Sequence, residues 1–530
     1  MSAIATVRAG RREWVGLAVL TLPSMLISMD LTVLHLAVPS LSADLRPGSA
    51  QLLWIVDIYG FLIAGSLITM GTLGDRIGRR RLLLIGATAF TLASVLAAFA
   101  PTAGLLIAAR AVLGVAGATL MPSTMSLIRN MFLDAQQRTF ALGAWISSFS
   151  VGAAIGPLVG GLMLEHFWWG SVFLLAVPVM VLLLTLGPLL LPEFRDPAAG
   201  RLDLLSAALS LVSVLLVIYG VKSLAEHGLG GLPLLSIVAG LLTGGVFVRR
   251  QQVLADPLID LRLFGNRAFS ASLATNTVSI CTMFGTYLFI PQYLQLVMGL
   301  TPFEAGLWTV PGAAMSMVGS MLAPVVVRWV RPVVIVCVGL VTVTIGFGLL
   351  TLVGMSSLPI IVASNVVVSA GFGFVMTVTA DLILTAAPAD RAGAASAISE
   401  TGVELGGAVG IAVLGSIGVA IYRRQVADIV PPSVPAATAE IARDTLGGAL
   451  GVVGQLSDVA GASLLEGARL AFVQGLHVVA VCAAVLTATM AVLAAFWLRQ
   501  YGTGTAPESE SQGRMAGEAE ILVAGSPAAD

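Results

Sequence analysis

Glu400 and Glu404 stand one helical turn apart in GAASAISETGVELGGAVG (Gly393–Gly410), a stretch that opens a long apolar segment. On a helix the two carboxylates project from the same face. A carboxylate at bilayer depth is costly, so such a pair faces a wet cavity and not lipid. Two carboxylates at close range in a dry site cannot both be ionised cheaply, and one of them is expected to hold a proton near neutral pH, as a proton carrier must. Three further acids, Asp30, Asp57 and Asp381, lie in apolar stretches, together with Arg110. An arginine within a membrane span marks a proton or ion pathway by default. At 1.5 Å per residue, Asp30 and Asp57 fall roughly 10–14 Å below one membrane surface and Glu400 and Glu404 roughly 10–17 Å from the other, with Asp381 nearer that second face. Each has a plainer reading: Asp30 could hydrogen-bond Thr32 or a helix end, and Asp57 could simply pair with Arg110. His35 and His477, lone histidines near span ends, read as packing residues. Glu165, His166, Trp168 and Trp169 read as an interfacial belt.

The elements that must hold these residues are membrane helices. Of the 530 residues 57 % are hydrophobic and 10 % charged, and the mean hydropathy is +0.98; soluble chains are about 25 % charged. A net charge of −1 argues against a nucleic-acid partner. Cys281, Cys337 and Cys482 each sit in an apolar run with no CxxC or His-rich neighbour, so neither a disulfide framework nor a metal site is expected. No GxxxxGK[ST] occurs, which disfavours a nucleotide-driven pump, and no nucleophile–base set or signalling segment supports an enzyme or a sensor.

Spans of about 20 apolar residues can be placed near 14–38, 51–73, 82–100, 104–128, 139–164, 168–190, 202–222, 232–250, 268–291, 303–326, 332–353, 358–386, 393–421 and 469–498. That makes an all-α integral membrane protein of fourteen transmembrane helices. The basic start, MSAIATVRAGRREW, leads into a span too long for a cleaved signal segment and is read as a retained first helix. Twenty of the 27 basic residues fall in loops on the N-terminal side of the membrane, six on the other, and Arg110 within a span. Both termini are therefore expected in the cytoplasm. The long outer loop 422–468 has helical periodicity and predicts a short external hairpin. The tail from Tyr501 is small, polar and acidic, and is expected to be disordered. The expected organisation is a cytoplasmic N-terminus (1–13), a six-helix bundle (14–190), two inserted helices with their loops (191–266), a second six-helix bundle (267–498) and a tail (499–530).

Four motifs carry a resemblance. Residues 71–81, GTLGDRIGRRR, match the GxLGDRxGRR loop between the second and third helices of the major facilitator superfamily. There Gly74 and Gly78 allow a tight turn, while Asp75 can cap the following helix or pair with an arginine across the bundle; with Arg76, Arg79 and Arg80 the motif would form a cytoplasmic gate. Arg110 in IAARAVLGVAGATLMP resembles the fourth-helix arginine motif. Gly152, Gly156, Pro157, Gly160 and Gly161 in VGAAIGPLVGG resemble the fifth-helix motif of antiporters, where small residues permit close helix approach. Asp30-Leu31-Thr32-Val33 with Ala37, Val38 and Pro39 resembles the first-helix motif of the fourteen-helix drug:proton antiporter branch. LWIVDIYG (53–60), EHFWWGSVFL (165–174) and ISETGVELG (398–406) look like the multidrug exporters of the QacA, SmvA and LfrA type. The second half departs from the pattern: VVRWVRPVV (326–334) keeps Arg328 and Arg331 but lacks the Gly-Asp.

The resemblance implies two six-helix halves with two inserted helices, working as a monomer in the bacterial inner membrane. The expected activity is proton-coupled efflux of lipophilic, often cationic, compounds such as quaternary ammonium compounds, dyes and fluoroquinolones. Asp30, Asp57, Glu400, Glu404, Arg110 and Asp381 would then serve protons and cations, with membrane lipid as surroundings and no cofactor beyond the proton gradient. Trp54, Trp145, Phe149, Phe284, Tyr287, Tyr293 and Trp308 could form an adaptable wall for flat cations. The alternative is a same-fold exporter of a physiological lipid, metabolite or self-made antibiotic.

Overall fold

The computed structural model describes residues 8–195, 203–227, 230–254, 257, 259, 261–387, 392–430, 436–454, 456 and 458–498, and every regular element among them is helical. The first group comprises α1 (Arg11–Leu45), α2 (Ser49–Ile77), α3 (Arg79–Ala98), α4 (Ala103–Met131), α5 (Ala135–His166), the single turn α6 (Ser171–Leu174) and α7 (Ala176–Leu190). A pair follows, α8 (Leu204–His227) and α9 (Gly231–Val253). The second group comprises α10 (Arg267–Tyr287), α11 (Ile290–Gln292) running into a π turn at Tyr293–Val297, α12 (Pro302–Val326), α13 (Pro332–Leu350), α14 (Leu358–Ala386), α15 (Ala392–Ile429), α16 (Ala436–Asp444), α17 (Leu446–Val453) and α18 (Asp458–Trp497). The tail from Tyr501 lies outside the described residues.

Helix starts follow local chemistry. Thr102, Asp134, Asn266 and Thr445 each accept a first-turn backbone N–H through the side chain, at α4, α5, α10 and α17. At α12, Thr301 and Glu304 form a reciprocal capping box with Pro302 at the first position. Beyond the caps, helix identity is a matter of solvent. In lipid each backbone polar group needs an internal partner, and a helix supplies one for almost all of them.

Among the described residues twelve helices are long and apolar enough to cross a membrane, or thirteen if the arms of α1, bent by 43° between Asp30 and Thr32, count as one span. By this measure the chain falls short of the fourteen spans expected. The shortfall lies at α1, which is interrupted at Asp30, and at α5, whose sequence AQQRTFALGAWISSFSVG is rich in polar and small residues. The expected outer hairpin is α16 and α17, but it is shorter than the loop, because α15 runs on to Ile429 and α18 begins at Asp458. At about 1.5 Å per residue both helices exceed a hydrocarbon layer of about 30 Å.

Glycines set which helices touch. A Cβ at Gly156 would strike Thr32 of α1, one at Gly160 would come within 2.6 Å of Val33, and one at Gly152 would strike the Met25 carbonyl. α5 is thus laid onto α1. In the second group a Cβ at Gly410 would strike the Cys281 carbonyl, and one at Gly406 would lie 2.7 Å from the Thr277 carbonyl, which seats α15 on α10. Between the groups, Gly161 of α5 faces the Phe303 backbone of α12, and Gly306 of α12 faces the Pro157 carbonyl. On the opposite side Gly60 of α2 approaches Ala408 of α15, while Phe61, Ile218, Ala408 and Ala412 form a small core that ties α8 to this seam. At the hairpin end Arg423 donates to Ser49 Oγ (2.8 Å) and pairs with Asp444 (2.8 Å), Tyr422 donates to the Ala442 carbonyl (2.9 Å), and Gln295 donates to the Leu36 carbonyl (3.0 Å). These approaches between the groups all fall in the half of the bundle nearer the hairpin.

Gly306→Val tests this seam. It would force α12 off the Pro157 carbonyl, and overpacking of this kind costs about 1–3 kcal/mol. The expected result is a lower thermal midpoint in detergent, with Gly245→Ala, where a Cβ meets open space, as the unchanged control.

Candidate functional site

α4 carries Arg110 to a point between α1 and α2 where its side chain is 0 % exposed. A buried guanidinium must have its donors satisfied by protein. Nη1 donates to Asp30 Oδ2 (2.8 Å), Nε to the Ile55 carbonyl (2.9 Å) and Nη2 to the Val56 carbonyl (3.3 Å). The plane of the group lies over Tyr59, 4.8 Å from the ring centroid, with Phe173 at 5.9 Å on another side. The carboxylate partner of Arg110 is therefore Asp30 and not Asp57. Asp57, 1 % exposed, lies one position beyond the two carbonyls that Arg110 uses. Asp30 keeps 16 % side-chain exposure and borders a small cavity with Phe90, Ser94 and Phe173.

Glu400 and Glu404 are half-buried on α15, and neither engages in a hydrogen bond or ion pair among the described residues. They act on each other electrostatically, and Glu404 also acts on Tyr59 of α2. Arg110 thus joins Asp30 to Tyr59, and Glu404 lies one turn before Ala408, which Gly60 beside Tyr59 approaches. Asp381 is exposed on α14 and takes no part in that cluster. His35 is buried one turn beyond Asp30 and packs edge-on against Tyr287 of α10, with ring centroids 5.4 Å apart.

The aromatic candidates divide. Trp145 is buried, donates to Thr124 Oγ1 (3.2 Å) and stands edge-on to Phe149 at 5.1 Å. Phe284 is partly buried near Gly407 of α15. Trp54 packs on Phe61 in the core shared with α8. Tyr293 is 0 % exposed; its hydroxyl donates to the Gly354 carbonyl (2.6 Å) and accepts from Ser357 N–H (3.2 Å), so it fixes the turn before α14 and lines no open space. Trp308 is 40 % exposed.

The Gly-Asp-Arg loop is clamped within its own group. Gly78 has φ +112°, a region open to glycine, and the carboxylate of Glu193 fills the place of its missing side chain. Glu193 accepts from Arg80 N–H (3.1 Å) at the start of α3 and lies 3.7 Å from Arg80 Nε. Arg80 also donates to the Leu191 carbonyl (3.0 Å), and Arg79 N–H to the Phe194 carbonyl (2.9 Å). Gly74 leaves room for the Arg79 side chain, whose Nη1 would lie 3.2 Å from a Cβ there. Arg76 is exposed, and the Asp75 side chain lies outside the described residues. Glu193 escaped sequence reasoning; its one signal was its place in LLPEF, directly after an apolar span.

At the start of α8 and the end of α9 a second polar network forms. Asp203 accepts from Ser206 N–H (3.0 Å) and pairs with Arg250 (3.0 Å). Burial works against its charge, but the Ser206 hydrogen bonds and Arg250 outweigh it and hold the carboxyl below its ordinary value.

Arg110→Ala would leave Asp30 with an unpaired charge, and breaking a buried pair in this way costs about 3–5 kcal/mol. The expected outcome is a sharp loss of monodisperse protein on size-exclusion chromatography, with Arg110→Ala/Asp30→Asn recovering part of it.

The sequence pattern of the Major Facilitator Superfamily matches residues 20–411. The multidrug efflux pump LfrA of Mycolicibacterium smegmatis is 46 % identical over 490 residues, 92 % of this chain and 97 % of that protein. The methyl viologen resistance protein SmvA of Salmonella typhimurium is 35 % identical over 483 residues, 87 % of this chain and 93 % of that one. In fold, the chain is similar to a bacterial homologue of the human lysosomal transporter Spinster, with a TM-score of 0.66 at 16 % identity over 94 % of this chain and 100 % of that one. With its apolar helices and its motif glycines in close contact, the chain is a multi-pass membrane protein and belongs to the Major Facilitator Superfamily.

Proposed function

We propose that this chain is a proton-coupled antiporter that exports lipophilic cations by alternating access. The observation that carries the reading is the pair Glu400 and Glu404, half-buried, mutually repelling and without a hydrogen-bond partner among the described residues. Carboxylates held this way bind a proton or an organic cation, and each occupant excludes the other. Protons entering from outside then release the cation, and their loss to the cytoplasm restores cation binding. The names of two relatives support the substrate class: one is a multidrug efflux pump and the other confers methyl viologen resistance, methyl viologen being a flat organic dication.

The excess of arginine on one side supports an orientation with that end, and both termini, in the cytoplasm of a bacterial inner-membrane protein. The hairpin end is then external, and the contacts from Arg423, Gln295, Gly161 and Gly306 close that side. Opening outward requires the two groups to rock about the buried acids. Asp30 and Arg110 hold the first group's share of the pathway, Asp57 flanks it, Asp381 on α14 serves the cytoplasmic end of the second group's share, and the loop clamped by Glu193 forms the cytoplasmic gate. One chain carries both groups and all these acids, which supports a monomeric working unit.

The test is Glu400→Gln with Glu404→Gln in everted membrane vesicles. Proton-driven accumulation of ethidium is expected to fall at least tenfold in the double variant at unchanged expression. Full accumulation by that variant would show that these carboxylates do not carry the coupling.

A further inference from the structure

Tyr59 is placed unlike any other aromatic residue of the seam. Its side chain is 0 % exposed, and its hydroxyl has no hydrogen-bond partner among the described residues. An unpartnered buried hydroxyl is costly and calls for an explanation. α4 packs closely on this residue: its Arg110 lies over the ring, a Cβ at Gly117 would lie 3.3 Å from the hydroxyl, and a Cβ at Gly114 would lie 2.6 Å from the Tyr59 carbonyl. The groups acting on the hydroxyl come from three helices: Asp30 on α1, Arg110 on α4 and Glu404 on α15. His35 on α1, which acts with Arg110, and Asp57 on α2 itself complete the titratable neighbours. Arg110 links the ring to Asp30 of the first group, and Gly60 beside Tyr59 approaches Ala408, one turn beyond Glu404 in the second.

We propose that the Tyr59 hydroxyl is the proton bridge between Asp30 and the Glu400–Glu404 pair, making its hydrogen bonds only while the two groups rock past one another. In the step, the phenol O–H proton passes to the Glu404 carboxylate as the phenol oxygen takes the proton of a protonated Asp30. Two protons hop in concert and the net transfer is one, from Asp30 to Glu404; Asp30 is left as a carboxylate to be caught by Arg110, and the phenol is neutral before and after. A phenol suits this task because it donates and accepts through one atom without itself becoming charged. The hydroxyl would be left without a partner here because the closed hairpin end holds the seam in a single position. The side chain is fully buried under Arg110 and against Gly117, so the bridge is made or broken by movement of the helices and not by a swing of the side chain.

The inference rests on the proposed antiport, and the experiment separates the two. Tyr59→Phe keeps the ring under Arg110 and removes one oxygen. In proteoliposomes, ethidium transport driven by an imposed pH gradient is expected to fall about tenfold. Ethidium binding and gradient-free exchange of labelled for unlabelled ethidium should stay within twofold, because exchange needs no net proton movement. Proton-driven transport at the wild-type rate overturns the bridge. So does equal loss of binding, exchange and driven transport, which would make Tyr59 a packing residue. If the wild-type protein fails to accumulate ethidium on the gradient, the antiport reading itself fails and the bridge with it.

Discussion

A fully buried guanidinium needs acceptors supplied by protein, and each nitrogen of Arg110 finds one, on two neighbouring helices at once. That demand fixes much of the first group. α2 must offer two carbonyls at Ile55 and Val56, and α1 must present Asp30 at the bend where its two arms meet. α4 must come close enough for its glycines to meet Tyr59. Loss of the pair would strand a charge in an apolar interior, so the relative height of three helices is held by chemistry as much as by packing.

The second group is built to the opposite rule. Among the described residues its two glutamates have no hydrogen-bond or ion-pair partner, on a helix seated against α10 by bare glycines at 406 and 410. One group satisfies its charge internally and the other leaves its charges available. In the proposed antiport, this difference in charge compensation between the two groups is what lets a proton or a cation change their relation.

Much of this was legible in the sequence, for physical reasons. A lipid solvent demands about 20 apolar residues for each crossing, so the helices could be counted with little ambiguity except where Asp30 interrupts α1 and where α5 trades apolar side chains for small ones. The paired glutamates were legible because i, i+4 spacing guarantees a common face. The partner of Arg110 was less so: two of its three bonds go to main-chain carbonyls, which no side-chain pattern records. Glu193 was hidden because it reaches Arg80 from 113 positions away, and a lone acid after a span looks like any surface carboxylate. Tyr293 looked like cavity wall because an aromatic residue beside a span end carries no mark of the turn its hydroxyl ties down.

The contact of α5 with α12 is backbone against backbone, Gly161 on Phe303 and Gly306 on the Pro157 carbonyl. Interdigitated side chains would have to be pulled out of one another before two helices could turn, and close-packed interiors resist that. A smooth strip of main chain has no teeth. In the proposed alternating access the two groups would roll while keeping their separation, so this line would act as a bearing whose position, and not whose strength, decides where the molecule pivots.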